Sequence, residues 1–170
     1  TWTIKTDNTD ITGQSTEANP QNEISQNLKN TTINDQVIIY EVTPSSGSCQ
    51  GTTFELTVTV NPTPEIEDVE EQICSGEAFA VAPENGGGIT DSGIVAISTT
   101  YAWTVVDTPN VTGEGDQTAA RPGISRAWSN STSDRQDVVY TVSPSPGAAG
   151  KCQGQPFIVP STGSPVPGIG

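Results

Sequence analysis

No histidine and no methionine occur in this chain, and each absence narrows what it can be. Without His, the Ser-His-Asp and Cys-His arrangements of nucleophilic catalysis cannot be assembled, and most zinc sites lose their usual ligand. Basic residues are scarce as well: six Lys and Arg face 20 Asp and Glu, a formal charge of −14. Such a surface repels phosphate backbones, and no Lys/Arg cluster offsets it, which excludes a nucleic-acid partner. Its ordinary consequence is solubility and mutual repulsion between copies. No apolar run reaches the roughly 18 residues needed to span a bilayer as a helix. Neither an initiator Met nor a basic-apolar-small leader opens the chain, so it reads as a mature product or an internal fragment.

Helix signals are nearly absent too. With no Met and few Leu, no long stretch repeats apolar residues at spacings of three and four. Instead, short Val/Ile/Thr/Tyr runs are separated by Gly, Pro, Asn and Ser, the pattern of an all-β chain. Residues 53–60 alternate Phe54, Leu56, Val58 and Val60 with polar neighbours, a half-buried strand of period two. Residues 72–81 predict two strands around a turn at Ser75-Gly76. Residues 93–98, 100–106 and 138–142 predict further strands, and Asn85 to Gly88 a loop. Three prolines after Phe157 argue against a full closing strand there.

The strongest signal is a repeat. Trp2-Thr3-Ile4 matches Trp103-Thr104-Val105, and Ile11-Thr12-Gly13 matches Val111-Thr112-Gly113. Ile24 to Asn30 matches Ile124 to Asn130, Val37 to Pro44 matches Asp137 to Pro144, and Cys49-Gln50-Gly51 matches Cys152-Gln153-Gly154. An offset of about a hundred residues is the size of one immunoglobulin-like module. Residues 65–101 have no counterpart ahead of Trp2. The expected organisation is therefore the C-terminal part of one β-sandwich module over 1–62, a Pro-rich linker at 63–66, and a second module over 67–170 with an irregular tail. Trp2, Trp103, Tyr40 and Tyr140 are the expected core aromatics. Trp128 stands where the first copy has Leu28, which favours buried packing; Trp128 and Tyr101 are the two aromatics that could otherwise stack on a ligand.

Three cysteines is an odd number. If each module holds one internal bridge, Cys74 pairs with Cys152, and the partner of Cys49 lies outside the fragment. Pairing of Cys49 with Cys74, or an intermolecular link through Cys49, stays open at this level. Any of these places the chain in an oxidising compartment. No cofactor is expected. The acidic run from Glu65 to Glu71, with Glu65, Glu67 and Asp68, is a weak calcium candidate, against a solvated edge strand, and Glu114-Gly115-Asp116 is a weaker one. Asn30, Asn110 and Asn130 each begin an N-glycosylation triplet, which would matter only in a eukaryotic host.

The blocks Tyr101 to Gly113, Ile124 to Asn130, Val139 to Pro144 and Ile73 to Glu77, with the Thr57 to Pro64 module end, resemble the PKD-like repeats of very large Bacteroidota surface proteins. Ordinary PKD modules follow their Trp with Asp-Phe-Gly-Asp-Gly; here Trp103 is followed by Thr104-Val105, so the variant family is meant. The resemblance implies a non-catalytic stalk or adhesion module at an outer surface, in some cases linked to gliding motility and exported by the type IX system. Its partners would be neighbouring modules of the same chain, surface glycans or other surface proteins. A carbohydrate-binding accessory module of a secreted protein is the alternative.

Overall fold

A computed structural model describes residues 1–85, 93–146 and 152–165. The chain divides into two compact units, Thr1–Pro62 and Thr63–Gly170, and no helix occurs among the described residues.

Unit 1 is built on a three-stranded antiparallel sheet of β1 (Trp2–Thr6), β4 (Gln36–Val42) and β7 (Phe54–Val60), in the order β1-β4-β7. Two short ribbons complete it: β2 (Ile11–Thr12) with β3 (Lys29–Asn30), and β5 (Ser45–Ser46) with β6 (Cys49–Gln50). Period-two patterning sends Ile38, Tyr40 and Val42 of β4 inward onto Trp2 and Ile11. Lys5 on β1 pairs with Glu55 across the exposed side.

Unit 2 repeats this plan and adds a second layer. Its main sheet runs β12 (Gln117–Arg121), β10 (Thr100–Val105), β15 (Gln136–Ser145), β16 (Phe157–Ser164) and β8 (Glu71–Cys74). Against it lie the ribbon of β9 (Ala78–Val81) with β13 (Ile124–Ala127) and that of β11 (Val111–Thr112) with β14 (Ser129–Asn130). Only the pairing of β8 with β16 is parallel, the remaining pairs in this sheet being antiparallel. The core gathers Val69, Phe79 and Val81 from the segment without a counterpart in unit 1, together with Trp103, Tyr140, Val142, Phe157 and Val159. Phe79 meets Tyr140 at a ring separation of 5.3 Å, and Tyr101 meets Phe157 edge-on at 6.3 Å.

That extra segment decides how closed each unit is. Phe157 is 3% exposed, whereas its counterpart Phe54 is 52% exposed. Leu56, Val58 and Val60 are half-buried, while the matching Val159, Ser161 and Gly163 are buried. Both units are immunoglobulin-like β-sheet modules, but only unit 2 carries the β8–β9 cover over its closing strand.

Two sequence expectations are corrected. First, the prolines after Phe157 do not prevent a closing strand: β16 is eight residues long and contains Pro160. Ile158 turns its N–H to Asp68 Oδ1 and its C=O to the Val69 N–H, so even-numbered positions face the β8 side. Pro160 shares that phase, its missing N–H faces away from β15, and the β15–β16 ladder keeps its bonds. Second, residues 93–98 do not form a strand. Gly93 (φ 87°) and Ser98 (φ 64°) are left-handed, and the segment makes one bridge, between Ile94 and Glu65, before turning. Gly93 passes so close to Glu65 that a Cβ would lie 1.9 Å from its carbonyl oxygen. The expected loop at 85–88 falls, beyond Asn85, outside the described residues. The Pro-rich segment from Thr63 packs as part of unit 2: Pro64 is buried, and Glu65 exchanges two backbone hydrogen bonds with Ile94.

Candidate functional site

The repeated tryptophan is held by the same local device in both units. Trp2 Nε1 donates to Ser15 O at 2.9 Å, and Trp103 Nε1 donates to Gly115 O at 3.2 Å. Trp2, Trp103, Tyr40 and Tyr140 are all buried, at 7%, 4%, 1% and 0% exposure. Around the tyrosines the two copies differ in chemistry. Tyr40 Oη donates to Gln26 Oε1, with Gln14 nearby in sequence register; the matching positions beside Tyr140 are Arg126 and Glu114. In unit 2, Tyr140 Oη, Arg126 Nε and Glu114 Oε2 are buried without a hydrogen-bond partner in the protein.

Burial holds Tyr101 and Tyr140 neutral, pushing each up to about 12; for Tyr140, Arg126 opposes and Glu114 reinforces that shift. Between the ordinary value of 10.0 and about 12, the unfolded chain releases these protons while the folded chain keeps them. The unfolded state then binds fewer protons, so stability falls as pH rises through that window and is unaffected by these groups below it. Phenolate absorbance followed on an alkaline titration should show Tyr101 and Tyr140 ionising near pH 12 or together with unfolding; ionisation near 10 in the folded chain would contradict their burial.

Trp128 and Tyr101 offer no ligand platform. They are 1% and 2% exposed, and Trp128 Nε1 donates to the buried Ser161 Oγ at 3.1 Å. The indole lies flush over Gly163, where a Cβ would sit 2.2 Å from Cη2. Both aromatics are core, in line with the packing reading of Trp128, and the alternative stacking role has no exposed ring to serve it.

The structure also corrects the Cys74–Cys152 bridge. All three cysteines are exposed free thiols. Cys74 is in register with Ser164 at the far end of β16. Cys152 precedes Gly154, whose N–H bonds Pro144 O, two residues beyond the Val142 partner of Phe157 at the near end. The eight residues of β16 extend about 23 Å at roughly 3.3 Å per residue, whereas a disulfide holds Cα atoms about 4.4–6.8 Å apart. The two thiols sit at opposite poles of unit 2.

At the acidic run, Ile66 and Val69 turn inward, and Asp68 Oδ1 accepts the Ile158 N–H at 2.7 Å. No group of three or more acidic or Cys side chains able to hold a metal occurs among the described residues. The glycosylation triplets have another use. Asn30 Nδ2 donates to Asn34 O and Val60 O, and Asn130 Nδ2 donates to Asp134 O and Gly163 O. Their Oδ1 atoms accept from the N–H and hydroxyl of Thr32 and Thr132. These buried asparagines tie the loop after β3 or β14 to the closing strand in both units. The recurrence of Asn-x-Thr in the two copies was the sequence signal for this brace.

An open groove of about 530 Å³ lies in unit 2 beside Trp103, lined by Ala80, Val81, Ile124, Arg121 and Arg126. Two of the six basic residues of the chain thus line one concavity. Trp103 contributes little surface to it, so the lining is two arginines beside small apolar side chains.

Compared with protein families, residues 1–64 and again 71–167 match the PKD-like domain. A comparison with curated proteins finds no match. With two matches that together take in most of its length, and an all-β fold repeated in two units, the chain belongs to the PKD-like domain family.

Proposed function

We propose that this chain is a non-catalytic structural or adhesive repeat of a long secreted or cell-surface protein, of the kind found in large Bacteroidota surface proteins linked to gliding motility and type IX export. The observation that carries the reading is what the two units have in common. Trp2/Trp103, Ile11/Val111, Asn30/Asn130 and Tyr40/Tyr140 are all buried framework. The groups that could act on a ligand do not recur: Arg121 and Arg126 stand where the first copy has Gln21 and Gln26. A repeat that preserves its scaffold and varies its surface suits a spacer whose partners are neighbouring modules, with surface glycans or other surface proteins as targets of adhesion. PKD-like domains are typically extracellular and generally lack catalysis, which agrees with the absence of His.

Antibodies against the chain should label the outside of intact producing cells, and the purified chain should turn over no polysaccharide or peptide substrate. Labelling confined to the cell interior would overturn the surface assignment. Saturable binding of a soluble glycan that is lost in Arg121→Ala would instead place the chain with carbohydrate-binding modules, acting through the groove.

A further inference from the structure

The three exposed thiols lie at module poles, and their placement suggests what they join. In unit 2 the chain arrives beside Gly154, where a Cβ would be 2.4 Å from Pro64 O, so the pole carrying Cys152 is the upstream one. The chain leaves past Ser164, whose carbonyl accepts the Ser75 N–H, so the pole carrying Cys74 is the downstream one. Unit 1 builds the same upstream turn: Gly51 N–H donates to Pro44 O at 2.9 Å, as Gly154 N–H donates to Pro144 O at 3.2 Å. Cys49 and Cys152 are therefore equivalent upstream-pole thiols, each just ahead of that turn.

The poles also differ in charge. From Pro44 to Phe54 there is no charged residue, and from Pro144 to Phe157 the only one is Lys151. Cys74, by contrast, is flanked by Glu70, Glu71 and Glu77, and its own N–H donates to Glu77 Oε2 at 3.3 Å. In a chain of net charge −14, two Cys74 poles would bring these carboxylates together, whereas a Cys74 pole meets an acid-free loop on an upstream pole. That loop is slim as well: Cys49 sits on a hairpin of Ser and Gly residues with Gly47 at its tip.

We propose that modules of this kind are joined end to end by a disulfide between the downstream-pole thiol of one and the upstream-pole thiol of the next. For the present chain the pair is Cys74 of one copy with Cys49 of a second. This rests on the extracellular reading for its oxidant, a small-molecule or protein disulfide. One protein thiolate attacks that disulfide and releases a thiol, leaving a mixed disulfide. The second protein thiolate then displaces the remaining thiol. Two protein thiols are oxidised, one disulfide is reduced to two thiols, and the two protons pass to the released thiolates.

The test uses the full chain, mixed as unlabelled and isotope-labelled copies in a glutathione redox buffer at physiological salt, followed by non-reducing electrophoresis and peptide mapping. The expected result is a ladder of linked copies whose junction peptides join Cys74 to Cys49, or to the equivalent Cys152, across copies. Cys74→Ser should abolish the ladder, and Cys49→Ser should leave only links through Cys152. Links within one copy, links between like poles as abundant as Cys74–Cys49, or no links at all would overturn the proposal. Because the buffer sets the redox potential, any of these sinks the staple without touching the surface assignment, which cell labelling tests separately.

Discussion

Trp128→Ala is expected to destabilise unit 2 by about 3–5 kcal/mol, the range for truncating a large buried aromatic. Trp128 is among the largest fully buried side chains, and it closes the core over β16. Its removal also strips the Ser161 hydroxyl, 0% exposed, of its indole partner. A stranded buried polar group costs a further ~1–3 kcal/mol where no rearrangement rescues it. Trp128→Phe separates the two contributions, since it retains most of the ring volume and loses the N–H. Leu28→Ala, at the matched position in unit 1, should cost clearly less because Leu28 is only half-buried. Urea unfolding of the full chain, followed by circular dichroism, reads all three variants. An unchanged midpoint for the unit 2 transition in Trp128→Ala would show that the ring is not part of the core.

The second large effect is a difference between the two units. Unit 1 should unfold at lower denaturant than unit 2, giving two transitions rather than one. Its closing strand leaves Phe54 half in solvent and Leu56, Val58 and Val60 partly covered. Fully burying each such side chain contributes about 1.5–3 kcal/mol, so the incomplete cover withholds several kcal/mol from unit 1. A unit of this size is marginal to begin with. Trp2 is the one tryptophan of unit 1, so comparing fluorescence of the parent with Trp2→Phe assigns the early transition. Hydrogen exchange should agree, with amides of β4 exchanging faster than those of β15. A single coincident transition would show that the β8–β9 cover contributes little.

How much of this was legible beforehand depends on the range of the interaction concerned. Strands such as β7 and β10 were legible because alternation is a local property that the pleat imposes on any half-buried strand. The repeat was legible because both copies spend their matched residues on the same framework. Residues 93–98 misled because an apolar run does not reveal two left-handed residues or the close approach of Gly93 to Glu65. Pro160 misled because its harm depends on which neighbour its absent N–H would face, and only the sheet order answers that. For Trp128 the match to Leu28 pointed to packing, but the residue alone carries no information about the Gly163 and Ser161 surface that receives it.

The sequence by itself determined the class of this protein. Zero His, a large acidic excess and short β-branched runs leave an acidic, all-β, repeated module in which no Ser-His-Asp or Cys-His arrangement can be assembled. Only the tertiary structure decided where the cysteines go. Spacing alone does not separate a bridge within a module from a link between modules, because the entropy cost of closing a loop grows only slowly with its length. The parallel pairing of β8 with β16 breaks that symmetry by putting Cys74 and Cys152 at opposite ends of an eight-residue strand.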